Sequence, residues 1–152
     1  MKLWINTESI KSAGRAVRAK TTEMTQQVDR QVVSRGTRAV NELRNAELEV
    51  LSGQRSGKVY RKYPYKSKYT ASAPGEPPAR RSGALRLHWN GHIETSRESN
   101  GRTVVKAVLE SQEPYSEPLE TGTKRMAARP YRQRILDKAE PNVRKIYEQS
   151  YR

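Results

Sequence analysis

Apolar residues recur along the first third of the chain at separations built from three, four and seven: Ile10, Val17, Met24, Val28, Val32, Val40 and Leu43. That spacing predicts a helix over residues 7–51 with one narrow apolar stripe and charge on its other sides. Thr7 reads as its N-cap and Gly53 as the glycine that ends it. Gly14 and Gly36 each weaken the pattern, which leaves one helix or two segments open. A stripe this thin cannot bury so long a helix. It calls for a sheet, or a neighbouring copy, along the helix's length.

Beyond it the pattern changes. Residues 54–79 lose helical periodicity, and Pro64 argues for an edge-type strand or hairpin over residues 59–70. Residues 74–78, rich in proline, form a rigid loop. "SGALRLHWN" (residues 82–90) reads as one short helix, with Ser82 at its N-cap, Leu85 and Trp89 on one face, and Gly91 closing it. Residues 93–96 and 103–109 alternate around Asn100-Gly101, a strong hairpin signal. Pro130 and Pro141 each stand where a helix opens, the second carrying Val143, Ile146, Tyr147 and Ser150 on one side. The expected fold class is α+β. A long N-terminal helix packs on a small antiparallel sheet, with a basic extended arm or hairpin and short C-terminal helices. All belong to a single domain over residues 1–152 (7–51, 54–79 and 82–152).

Composition narrows the class. Hydrophobic residues make up 34% of the 152, with no Phe, so the core is small and burial completed against other subunits is favoured. The absence of Cys excludes disulfides and thiolate metal sites. The apolar run of "MKLWINTESIKSAGR" is too short for a signal peptide, and no segment approaches a membrane span; host cytoplasm is the expected site of synthesis, with no membrane partner.

Charge is uneven. The net charge is +14, and residues 52–90 hold nine basic residues against one acid, Glu76. Within that segment Tyr60, Tyr63, Tyr65 and Tyr69 alternate with Arg61, Lys62, Lys66 and Lys68. Cations beside aromatic rings suit nucleic acid, where phosphates meet the charges and unpaired bases stack on the rings. Contact with another subunit, or an edge kept soluble by charge, explains the same residues.

No catalytic constellation emerges. His88 and His92 lie four apart, but Asn90-Gly91 is expected to end the helix between them, and no third His or Cys exists. Glu110, Glu113, Glu117 and Glu120 form a loose acidic group that reads as charge balance before it reads as a nuclease site. Ser82 and Thr121 lack an activating His, and Gly75 belongs to no phosphate loop. No cofactor is expected.

Two segments carry more specific information. "SAPGEPPARRSGALR" (residues 72–86) and "YSEPLETGTKRMAARPYRQRIL" (residues 115–136) together resemble the neck or tail-completion family of long-tailed phages, also described as head–tail joining proteins or minor tail components. The matching positions are residues 73–78, Ser82, Gly83 and Leu85, then Tyr115, Glu120, Gly122, Thr123, Met126, Ala128, Arg129, Pro130 and Tyr131. Tyr131 stands where the family more often has Phe, and residues 117–119 are less apolar than usual.

The resemblance implies a structural virion protein: one subunit of a six- or twelve-fold ring at the head–tail interface, between the head connector and the tail tube or terminator. It implies no enzymatic activity. Expected interface residues are Tyr60, Tyr63, Tyr65, Lys66, Lys68, Tyr69, Glu120, Met126, Arg129 and Tyr131, with Arg61, Lys62, Arg80 and Arg81 as candidate transient contacts to packaged DNA. Gly75, Gly122 and Pro130 are expected to shape turns, and Met126 to plug an apolar gap. Arg129, near Glu117 and Glu120, is expected to pair with a carboxylate within the subunit or across the ring. The competing reading is a basic nucleic-acid-binding module that forms no ring; an enzyme such as a nuclease comes third.

Overall fold

The structure, a computed structural model, describes residues 7–64, 66–99 and 101–151, with the side chains of Thr7 and Ser9 outside that description. The expected cap at Thr7, the turn residue Asn100 and the interface residue Tyr65 therefore lie outside the described residues. The fold is α+β. Helix α1 (Thr7–Ser52) is a single uninterrupted helix of 46 residues, so neither Gly14 nor Gly36 divides it. Two short strands follow, β1 (Val59–Arg61) and β2 (Lys68–Thr70), then α2 (Ala84–Leu87), β3 (Trp89–Arg97), β4 (Thr103–Ser111), α3 (Ser116–Thr121) and α4 (Arg132–Glu148). The strands make two separate antiparallel hairpins, β1–β2 and β3–β4.

α1 is the spine. Its second half carries the β3–β4 ribbon and α4. The register pairs Ile93 with Ala107 and Gly91 with Leu109, so alternate residues of both strands share the face turned to α1. Close approach is secured twice by missing side chains. A Cβ on Gly36 would lie 2.6 Å from the Val105 Cγ1, and one on Gly91 2.6 Å from the Val40 Cγ1. α4 runs antiparallel to α1: Lys138 meets Glu49 (2.5 Å), Asn142 donates to Glu42 (2.9 Å), and Arg38 donates to Gln149 (3.0 Å). The core gathers Ala46, Leu51, Tyr131, Ile135 and Ala139, with Leu43, Val50, Leu85, Trp89, Leu119 and Val143 packed around them.

Three expected boundaries are corrected. The short helix stops at Leu87, and Trp89 and Gly91 belong to β3. The Trp89 ring meets Tyr131 edge-on at 6.2 Å, and its indole N–H still reaches back to the Leu85 carbonyl, so tertiary packing overrides local helix signals. Pro141 opens no second helix; it sits inside α4, where the Asp137 carbonyl forgoes its usual N–H donor. Pro130 precedes α4 by two positions, and an unforeseen helical turn, α3, forms around Pro118. Among the described residues no helix is long and apolar enough to cross a membrane.

Candidate interaction surfaces

The basic segment folds into the β1–β2 hairpin, with Tyr60 opposite Tyr69 and Arg61 opposite Lys68. Directly opposed residues share a face, so the tyrosines lie on one side of the ribbon and the two cations on the other. The Tyr60 and Tyr69 rings stack at 5.8 Å, and the Lys62 ammonium sits 6.0 Å from the Tyr69 centroid. The rings that sequence alone offers to bases are thus largely engaged with each other. Among the described tyrosines of the hairpin, Tyr63, 94% exposed at the tip, is the exception; Lys66 and Lys68 are exposed too. Arg61 facing Lys68 is a like-charge pair, destabilising unless an anion comes between them.

Glu76, the lone acid of this segment, fastens the hairpin's base. Its carboxylate accepts from the Ser56 hydroxyl (2.6 Å), the Ser56 N–H (3.1 Å) and the Ala73 N–H (2.9 Å). Those hydrogen bonds, the Ser56 hydroxyl foremost, hold its pKa down to about 2, with help from Arg55. The Arg55 guanidinium in turn donates to the Pro78, Gly53 and Val50 carbonyls, joining the loop to the end of α1.

The two segments behind the family resemblance meet in space, although the whole β3–β4 ribbon separates them in sequence. The Gly75 N–H donates to the Ala128 carbonyl (3.1 Å), Arg134 donates to the Gly75 carbonyl (2.9 Å), and Arg129 donates to both the carbonyl and the hydroxyl of the buried Ser72. Arg129 therefore answers loop oxygens within its own subunit, which corrects the expected carboxylate partner there: a buried carbonyl needs a donor, and the guanidinium supplies it. Glu120 has a different task. It accepts from the N–H groups of Tyr131 (2.9 Å) and Arg132 (3.2 Å), satisfying the open start of α4. Gly122 has φ 82°, and a Cβ there would meet the Ala128 nitrogen at 2.8 Å, so the turn requires glycine. Gly75 turns with φ 78°.

Tyr131, expected at an interface, is 2% exposed and belongs to the subunit's own core. Its hydroxyl donates to the Ser116 carbonyl (3.0 Å), and burial pushes its pKa up to about 12. Met126 is half-buried and lines a cleft of about 520 Å³ together with Leu51, Leu85 and Leu119. Arg80, Arg81, Arg86 and Arg129 line the same cleft, so the candidate DNA contacts Arg80 and Arg81 border an apolar floor.

The loose acidic group disperses. Glu113 takes the His88 Nδ1, Glu110 lies 3.4 Å from the His92 ring, Glu117 is exposed on α3, and Glu120 caps α4. Among the described residues no group of three or more His, Cys, Asp or Glu is placed to hold a metal ion. One residue that the sequence reading missed is Glu47, wholly buried against Arg44 with its Oε1 unsatisfied. Burial raises its pKa to about 7 despite the opposing charges of Arg44 and Arg86. On a charged helix nothing in its spacing separates it from its solvated neighbours.

A scan against protein-family profiles, a search of curated proteins and a search of solved structures each return no match for this chain. The phage-neck resemblance rests on its sequence motifs.

Proposed function

We propose that this chain is a structural subunit of a homo-oligomeric ring at the head–tail junction of a tailed phage. It joins the head connector to the tail by adhesion, without catalysing a reaction. The observation that carries this reading is the meeting of the two motif segments in one hydrogen-bonded unit, through Ser72 and Gly75 on one side and Ala128, Arg129 and Arg134 on the other. Motifs that resemble a family in order and spacing also coincide with one physical element, as expected if that element is what the family shares. The exposed surfaces suit docking. The basic hairpin and the arginine-bordered cleft fit an acidic rim on a connector or tail protein, and an apolar floor adds burial that charge alone lacks.

The exposed Tyr63 and its basic neighbours favour a second reading, a nucleic-acid-binding module without a ring. Mass by light scattering separates the two, measured across protein concentration at low and moderate salt, with and without duplex DNA. A discrete ring that forms without DNA supports the neck subunit. A monomer that binds DNA tightly, with affinity collapsing as salt rises, replaces it with the module.

A further inference from the structure

Neither reading uses the first half of α1. Every described side chain from residue 8 to residue 28 is exposed, including Ile10, Val17, Met24 and Val28. At Asp29, which accepts a hydrogen bond from Thr103 (3.0 Å), burial begins. The exposed stretch over residues 8–28 is about 32 Å of helix. Most helical stability in proteins comes from packing an amphipathic face, and within the subunit this stripe is exposed.

The body carries a groove of matching character. Between β4 and α4 lie two adjoining clefts of about 430 and 440 Å³ that share Leu43, Ala107 and Leu136. Leu136 is 52% exposed there, and Tyr147 40%. The groove's charged lining is Glu110, Glu117, Asp137 and Glu140 against Arg132 alone. That lining is net acidic in a chain of net charge +14. The arm has the opposite sign, with Lys11, Arg15, Arg18 and Lys20 against Glu8 and Glu23. Helical spacing sets Lys20 beside the apolar stripe on one side and Lys11 and Arg18 on the other, while Arg15 falls on the far face.

We infer that the arm of one subunit docks, apolar stripe down, in the β4–α4 groove of a second copy of this chain. The inference rests on the homo-oligomeric part of the proposed function and names the contact that builds it. A subunit's own groove is out of reach, because Ala39 and Leu43 of the same unbroken helix line it. The cleft bordered by Arg80, Arg81, Arg86 and Arg129 repels a basic arm. Donor and acceptor are different surfaces, so each docked subunit still offers a free arm and a free groove. Such a head-to-tail contact closes into a ring when the rotation allows. The arm is read as a helix in a groove, through anchors at Ile10, Val17 and Met24.

The test pairs an arm variant (Val17→Asp with Met24→Asp) with a groove variant (Leu136→Asp), all at exposed positions and each checked for folding by circular dichroism. Light scattering is expected to give a multimer for the native chain and the 17.4 kDa monomer for each variant alone. An equimolar mixture is expected to stop at a one-to-one heterodimer, since the intact arm of one variant fills the intact groove of the other and nothing intact remains. If both variants still assemble, the arm inference falls while the ring reading stands. If only the arm variant fails, arms pair with arms, and the groove is wrong. A second measurement uses the absence of Cys. With Val17→Cys and Leu136→Cys in one chain, mild oxidation is expected to give a ladder of linked chains on a non-reducing gel. A native chain that stays monomeric, with no such ladder, overturns this inference together with the ring.

Discussion

One helix, α1, presents two environments. From residue 29 onward it buries Arg35, Ala39, Val40, Ala46, Glu47 and Leu51, while the described side chains up to residue 28 are all exposed. Equivalent residue types behave differently in the two halves. Gly14 has open space where its Cβ would be, whereas Gly36 has Val105 at 2.6 Å. Arg35 donates to the Tyr147 (3.4 Å) and Ser150 (3.1 Å) carbonyls at the end of α4 and lies 3.8 Å from the Tyr151 ring centroid, while Arg15 and Arg18 face solvent. Helix propensity and stripe are continuous across the boundary, so the difference comes from what packs against each half. The docked half is the spine of a fold; the other half keeps its apolar stripe exposed.

The comparison breaks most visibly on truncation. Leu51→Ala, at a site 4% exposed in the core, is expected to lose about 2–5 kcal/mol, whereas Val17→Ala is expected to change monomer stability by less than about 0.5 kcal/mol. Urea unfolding below the assembly concentration reads both. Equal losses mean that the arm packs on its own body.

Glu47 gives the docked half a pH dependence. Its folded pKa of about 7 exceeds the ordinary 4.5, so the folded chain holds a proton there that the unfolded chain releases. Stability from this group is fully present below about pH 4.5 and is lost as pH rises through 7, on the order of 3 kcal/mol in all. Glu47→Gln is expected to flatten that fall in denaturation midpoints measured from pH 4.5 to 8. Glu76 runs the other way. With a folded pKa of about 2, its hold on the hairpin is fully present above the ordinary 4.5 and is lost progressively as pH falls from there through 2.

Glycine replacement sharpens the contrast further, because its sign reverses. Gly36→Ala forces Val105 to shift and is expected to cost about 1–3 kcal/mol, while Gly14→Ala raises helix propensity and is expected to stabilise the arm by about 0.5–1 kcal/mol. Thermal melting and helical ellipticity of the two variants decide it.

The long helix, the basic hairpin and the β3–β4 ribbon were legible because each rests on local signals: apolar spacing, interleaved Tyr and Lys, and turn residues. The boundaries that failed depend on distant partners. Trp89 enters a strand because Tyr131 lies across from it, and Pro141 stays inside α4 because α1 holds the helix on both sides of it. At the candidate surfaces, the glycine turn at Gly122 followed from residue type. The tasks of Arg129 and Glu120 did not, since an arginine near two glutamates has the same local sequence whether it meets them or a buried serine carbonyl. Tyr131 was misplaced for the same reason, because aromatic rings suit interfaces and cores alike.

The smallest expected effect bears most closely on the arm. Lys20 pairs with Glu23 at 2.9 Å on its exposed surface, a contact worth about 0.2–0.5 kcal/mol of helix stability and weakened by salt. Glu23→Gln removes that pair and is expected to lower helical ellipticity slightly at low salt. The same change leaves the arm more basic, so its attraction to the acidic β4–α4 groove grows, and assembly is expected to begin at lower protein concentration. Helix content and association then move in opposite directions, which an arm that only fluctuates in solvent does not produce. If both decline together, the arm's value to assembly lies in its helicity alone, and charge matching with the groove plays no part.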